Sequence, residues 1–159
     1  MGLLDNQIVV VTGGAGKIGS TFIKAIVEEG GVGVIAEVNK SFADQVVEEI
    51  KSEYQDAIIE VVELDINDKP SVQACINTLD SKYGRIDALI NCAYPRTETY
   101  AGVRFEEMEY HEFCAMINMN LGGYFLTSQQ FINYFKTKEK GKGVVLEVKK
   151  EKARKNAKS

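Results

Sequence analysis

Residues 8–19, IVVVTGGAGKIG, constrain this chain more than any other stretch. The continuous β-branched run from Ile8 to Val11 reads as a strand buried on both faces, as in the middle of a parallel sheet. Gly14, Gly16 and Gly19 then stand as G-x-G-x-x-G, and Ser20 to Val27 continue with amphipathic helical spacing. In that context each glycine has a physical task. The first allows the tight turn, the second lets backbone approach a pyrophosphate, and the third lets helix and strand pack closely. The start of the helix then offers unpaired N–H groups and a positive dipole end to phosphates. Strand, glycine turn and helix in this order point to a dinucleotide site, which the glycines without their context would not.

The rest of the chain alternates strand and helix. After a strand over 7–12, a helix over 17–29 stops at Gly30-Gly31, a good C-terminal signal. A strand over 32–38 leads to a helix over 42–54, capped by Ser41, with Val46, Val47 and Ile50 on one face. A third strand spans 58–64. Asp68 and Pro70 open a helix over 69–83 that Gly84 ends, and a fourth strand covers 86–92. A polar connection over 95–109 precedes a long helical region, 109–137, with Gly122-Gly123 as a kink or close-packing point. Residues 141–148 read as a turn and a fifth strand. Such alternation predicts an α/β fold, a parallel sheet with helices on both faces.

Composition narrows the function classes. At 159 residues the chain suits one domain with a real core. The net charge is −4, yet residues 149–159 carry six Lys/Arg against one Glu, which leaves the body near −9. An acidic body argues against nucleic acid as the main partner. The basic tail has no interleaved aromatics and reads as a solvated, disordered extension of a domain over 1–148. Cys75, Cys92 and Cys114 are widely spaced, without a CxxC pair, and His111 is the one histidine. These counts disfavour a zinc site or disulfide framework and point to a reducing cytoplasm. No basic segment followed by an apolar stretch opens the chain, and no apolar run reaches membrane-spanning length, so neither a signal peptide nor a membrane partner is expected.

Two alternative chemistries fail on spacing. A phosphate loop of G-x-x-x-x-G-K-[ST] type around Gly16-Lys17 would need glycine at Val11 and Ser or Thr at Ile18. Cys92 and His111 as nucleophile and base would require a thiol that the strand pattern puts in the core.

Four ordered motifs together resemble the short-chain dehydrogenase/reductase family over roughly residues 5–148. The stretch Thr12-Gly13-Gly14-Ala15-Gly16-Lys17-Ile18-Gly19 is similar to the family's cofactor turn. Leu64-Asp65-Ile66 resembles the segment whose Asp contacts the adenine ring. Asn91-Cys92-Ala93-Tyr94 resembles its N-N-A-G, and Asn120-Leu121-Gly122-Gly123-Tyr124-Phe125 the helix bearing a catalytic asparagine. The wording is nearest to members linked to flagellin or surface-sugar modification. The resemblance implies a Rossmann-type doubly wound parallel sheet of about five strands, NAD or NADP as cofactor, and hydroxyl–carbonyl interconversion on a small molecule. It also implies that Asn120 holds a water in a proton relay.

Departures from the pattern matter. Lys17 stands where compact members carry a glycine, projecting either toward phosphates or into solvent, and Tyr94 replaces the last glycine of N-N-A-G. Glu37 lies 18 residues after Gly19, near the spacing at which an acidic residue bonds the ribose hydroxyls and repels a 2′-phosphate, which favours NAD. Lys40 and Lys17 keep NADP open. The family also needs a Ser after strand five and a Tyr-x-x-x-Lys on the next helix. No Ser follows strand five until Ser159. One match exists, Tyr134 to Lys138, but it precedes strand five, and composition alone supplies about 0.7 such matches. It receives no catalytic role. The expectation is the cofactor-binding front of a reductase, from a truncated or frame-shifted product or a natural short form. Strand five should then be an exposed apolar edge, prone to homo-oligomer formation or aggregation.

Overall fold

The computed structural model describes residues 2–97, 103–138 and 143–147. β1 (Ile8–Thr12) is buried along its whole length, as its unbroken apolar run requires. It forms the middle of a five-stranded parallel sheet in the order β3-β2-β1-β4-β5, with β2 at Val32–Glu37, β3 at Ile59–Glu63, β4 at Ala88–Asn91 and β5 at Val144–Glu147. Thr12 pairs with Ala36 on one side and Asn91 on the other. Helices α1 (Lys17–Glu28) and α2 (Lys40–Glu53) cover one face. Helices α3 (Lys69–Tyr83), α4 (Tyr110–Ile117) and α5 (Gly123–Thr137) follow the later strands. The period-2 alternation of each strand divides the core accordingly. Val9, Val11, Ile35 and Ile90 pack with Ile23 and Ile50, whereas Val10, Val34 and Leu89 pack with Leu79 and Phe131.

Most helix boundaries follow the local signals. Asp68 caps α3 by accepting from Ser71 N at 3.0 Å, and Gly84 ends that helix at φ +72°. α2 corrects the expected cap. Asn39 is the N-cap, its Oδ1 accepting from Ser41 N at 3.1 Å, Ser41 Oγ at 2.7 Å and Phe42 N at 3.4 Å. Ser41 lies inside the first turn, because an amide oxygen two residues earlier reaches the free N–H groups.

The expected single helix over 109–137 is also revised. A π-helical turn, Asn118–Gly122, separates α4 from α5. Such a turn inserts one extra residue into the ladder and often marks a functional site. Gly123, immediately after it, is the close-packing point, since a Cβ there would stand 2.6 Å from Ile66 Cδ1. A short 3₁₀ turn, Phe105–Glu107, occupies part of the expected polar connection.

β5 pairs with β4 alone among the described residues, and Val144 and Leu146 are about half exposed. The apolar edge expected from the sequence is therefore present. Gly141, Lys142, Val148 and the basic tail lie outside the described residues.

Candidate functional site

Every strand is parallel, so all five end at one edge of the sheet. The chain leaves β1 for β2 and β3 on one side and later reaches β4 and β5 on the other. That reversal opens a crevice beyond the carboxyl ends of β1 and β4, where such sheets bind ligands. Gly13, Gly14, Gly16, Glu37, Asp65, Asn91 and Ala93 lie at or just past those strand ends.

The turn after β1 leaves no room for side chains. Gly13 has φ +64°, and a Cβ on it would stand 2.7 Å from Ala93 Cα. A Cβ on Gly14 would be 3.0 Å from Ile35 Cα, and one on Gly19 would collide with Gly13 O. Gly16 N donates to Gly13 O at 3.0 Å, closing the turn, and Gly16 is the N-cap of α1 without a side-chain cap bond. The first backbone bond of α1 is Ser20 N to Gly16 O at 2.8 Å, which leaves the N–H groups of Lys17, Ile18 and Gly19 without helical acceptors. The Lys17 and Ile18 side chains are exposed beside them. This is a backbone cradle with the positive end of a twelve-residue helix at its base.

Thr12 does something the sequence did not announce. It is fully buried, and its Oγ1 accepts from Cys92 N at 3.0 Å and Ala93 N at 3.2 Å. It ties the ends of β1 and β4 together and fixes the width of the crevice. Asn91 is likewise committed: its Oδ1 accepts from Thr127 Oγ1 and its Nδ2 donates to Ser128 Oγ, both at 2.9 Å. Thr127 and Ser128 are thus site-supporting residues that sequence reasoning missed. They lie 36 and 37 residues away, and no local pattern signals that contact.

At the other end of the crevice, Glu37 Oε1 accepts from Val38 N at 3.0 Å and Asn39 N at 3.4 Å. Its second oxygen has no partner among the described residues. Asp65 Oδ1 accepts from Asn67 N at 2.8 Å, and Asp65 N donates to Ser71 Oγ at 3.0 Å. Ile66, expected at the cofactor, has its side chain buried in the core against Gly123. Tyr94 is half exposed, with the Arg96 guanidinium 5.7 Å from its ring centre.

Asn120 sits in the π-helical turn. Its Nδ2 donates to Met116 O at 3.0 Å and to Pro95 O at 3.2 Å, tying the turn to the segment that follows β4. Its Oδ1 is buried and accepts nothing from the described residues. Leaving a buried acceptor unpaired costs about 1–3 kcal/mol, so that oxygen invites a donor from outside the protein.

The Tyr-x-x-x-Lys match lies at the opposite edge of the sheet. Tyr134 OH donates to Asp80 Oδ1 at 2.7 Å, Lys138 Nζ donates to the same oxygen at 2.5 Å, and the ammonium lies 5.0 Å from the tyrosine ring centre. The set fastens the C-terminal end of α5 to that of α3, before β4 and β5 begin. Burial and the Asp80 carboxylate push the tyrosine pKa up, away from proton transfer. Hydrogen bonds from Lys138 and Tyr134 hold the Asp80 carboxyl below its ordinary value. A depressed carboxyl pKa stabilises the fold above the unfolded-state value, about 3.9, and that contribution disappears as pH falls through the folded value. Asp80→Asn is expected to flatten the acid limb of stability below about pH 4, with a loss at neutral pH within the ~1 kcal/mol of exposed pairs. Urea denaturation from pH 3 to 7 checks it, and an unchanged acid limb would count against the clamp.

Comparison with known proteins agrees with this geometry. The family model described as short chain dehydrogenase matches residues 7–157. The post-translational flagellin modification protein A of Campylobacter coli is 30% identical over 139 residues, covering 87% of this chain and 54% of that protein. The 3alpha-hydroxysteroid dehydrogenase of Mediterraneibacter gnavus is 30% identical over 144 residues, covering 91% and 55%. A short chain dehydrogenase crystal structure from Mycobacterium smegmatis superposes with a TM-score of 0.79 at 26% identity, over 92% of this chain and 59% of that one. The chain spans about half the length of the curated relatives it matches. With the parallel sheet, the glycine cradle and the matched family model in agreement, the chain belongs to the short-chain dehydrogenase family.

Proposed function

We propose that this chain binds a nicotinamide dinucleotide along the carboxyl edge of its sheet, NAD in preference to NADP, without itself completing hydride transfer. The observation that carries the reading is the side-chain-free cradle at Gly13, Gly14 and Gly19, opening onto the uncapped start of α1. The residues fit the group. The N–H groups of Lys17, Ile18 and Gly19 are free to bind its pyrophosphate. The unpartnered oxygen of Glu37 would accept from ribose hydroxyls and repel a 2′-phosphate. Asp65 and the backbone of Ile66 would border the adenine. Ala93, held by Thr12 and braced beside Asn91, would border the nicotinamide end, and the open Oδ1 of Asn120 would accept from a water or a substrate hydroxyl there.

When bound, such a cofactor supplies hydride transfer between a hydroxyl and a carbonyl carbon, and in the longer relatives a small molecule, in the narrower reading sugar-like, provides that carbon. Binding without turnover is supported because, among the described residues, Asn120 alone corresponds to the family's proton-handling residues at this edge, while Tyr134 and Lys138 are fastened to Asp80. A partner-dependent binding module is the alternative reading, favoured by β5 pairing with β4 alone among the described residues. The free thiols Cys75, Cys92 and Cys114 accord with a reducing cytoplasm. Among the described residues no helix is long and apolar enough to cross a membrane.

Titration calorimetry with NAD+ and NADP+ tests the proposal. NAD+ should bind at least tenfold more tightly, and Glu37→Ser should reduce that gap to less than tenfold. Absence of heat with both nucleotides would sink the binding site, and tighter NADP+ binding would overturn the preference. Turnover of NADH by the purified chain with a panel of keto-sugars would overturn the non-catalytic part.

A further inference from the structure

Helices α1, α2 and α3 all begin with lysine, at Lys17, Lys40 and Lys69. A cation in the first turn faces the positive end of the helix dipole, which is unfavourable unless an anion stands nearby. In two of the three helices the protein supplies that anion. Lys40 pairs with Asp44 at 3.0 Å, and Lys69 directly follows Asp68, whose carboxylate caps its helix. α1 has neither device. Its cap is Gly16, which has no side chain, and its first turn holds no acidic residue. The Lys17 side chain is exposed and makes no ion pair or hydrogen bond among the described residues. The uncompensated cation is therefore the one beside the glycine cradle.

We infer that the Lys17 ammonium pairs with the pyrophosphate of the bound dinucleotide and raises affinity for NAD and NADP alike. The inference rests on the dinucleotide reading above, which used Lys17 only for its backbone N–H. Three features support it. The Cα–Cβ bond of a helical residue tilts toward the helix N-terminus, so the Lys17 stem leaves α1 on the side of the cradle. Ser20 Oγ and Thr21 Oγ1 both donate to Lys17 O, at 3.3 and 3.0 Å, so the backbone of this turn is pinned and only the side chain remains to be ordered. The crevice edge also carries the Glu37 and Asp65 carboxylates, which suit hydroxyl and amino donors but repel a pyrophosphate. A cation at the start of α1 offsets that repulsion where the phosphates lie. Two tasks are thereby divided between two residues. Glu37, at the end of β2, sets the preference for an unphosphorylated ribose, and Lys17, in the turn after β1, strengthens the hold on the part common to both cofactors.

Titration calorimetry with NAD+, NADP+ and ADP-ribose tests the assignment. Lys17→Met keeps most of the stem and removes the charge. It should weaken all three ligands at least about fivefold, equivalent to about 1 kcal/mol, and Lys17→Arg should restore binding to within about twofold of wild type. Raising sodium chloride from about 0.05 to 0.5 M should weaken NAD+ binding at least about threefold more in wild type than in Lys17→Met. Without ligand, Lys17→Met should melt at or above the wild-type temperature, because the lost charge opposed the helix dipole. On the unaltered protein, saturating ADP-ribose should slow acetylation of Lys17 by an N-hydroxysuccinimide ester, read by peptide mass spectrometry, and leave Lys51 unaffected. A smaller loss of NAD+ affinity in Lys17→Met would overturn this inference alone, provided wild type binds. A loss confined to NADP+ would overturn it by assigning the lysine to the 2′-phosphate. A lowered melting temperature without ligand would make Lys17 a structural residue. Wild type that binds none of the three ligands would sink the dinucleotide reading and this inference with it.

Discussion

Gly19→Ala is expected to abolish dinucleotide binding and to cost about 3 kcal/mol of stability, near the upper end for overpacking. The added Cβ would collide with Gly13 O and stand 2.8 Å from Gly14 Cα. Both are backbone atoms of the cradle, so neither can swing aside as a side-chain tip would. Relief would require α1 to move away from β1, which would open the cradle and disturb the packing of Ile23 and Ile26, both buried under the sheet. Gly16→Ala supplies the contrast. Gly16 has an ordinary extended φ of −73°, and its Cβ would meet only Gly13 O, at 3.2 Å. That variant should keep most of its stability while weakening nucleotide binding, because a methyl group would then stand at the mouth of the cradle. Urea denaturation and calorimetry on the two variants check both halves. Equal stability losses would show that close packing at Gly19 is not what the third glycine provides.

Phe131→Ala is expected to cost about 4 kcal/mol, the range for a fully buried aromatic. Phe131 has no exposed surface, and its ring meets Phe135 edge-on with centroids 6.1 Å apart. It holds α5 on the sheet, and α5 carries the Thr127 and Ser128 hydroxyls that fix Asn91. A domain is stable by only about 5–15 kcal/mol, so this loss should lower the thermal midpoint by more than 10 °C. It should also loosen the crevice in proportion. Thermal denaturation followed by circular dichroism reads the effect, and a loss below about 1 kcal/mol would mean that α5 packs elsewhere.

How much of the site was legible in the sequence depends on the reach of each interaction. The glycine cradle was legible because its constraint is local: three glycines within six residues, between a β-branched run and an amphipathic helix, allow few other structures. The Asp68 cap and the Gly84 stop were legible for the same reason. Ser41 misled because Asn39 and Ser41 are both good caps, and only the path of the chain out of β2 decides which oxygen reaches the free N–H groups. The helical region over 109–137 misled because a π turn leaves the hydrophobic pattern nearly unchanged while Asn120 redirects one turn onto Pro95. Ile66 belonged to a recognisable segment, yet its side chain went to Gly123, 57 positions away.

The sequence by itself determined the α/β alternation, the position of the glycine cradle and the cap and stop of α3. Each is a matter of residue type within a few positions, where backbone geometry and burial leave little choice. Tertiary structure alone decided that Thr12 and Asn91 brace the crevice, that Tyr134 and Lys138 serve Asp80 at the far edge, and that Phe131 and Phe135 of α5 are the side chains that enter the core. Those outcomes depend on which strand lies beside which, and the parallel order β3-β2-β1-β4-β5 brings together residues separated by tens of positions. Hydrogen-bond partners at that distance are selected by the packing of whole elements, which local patterns do not encode.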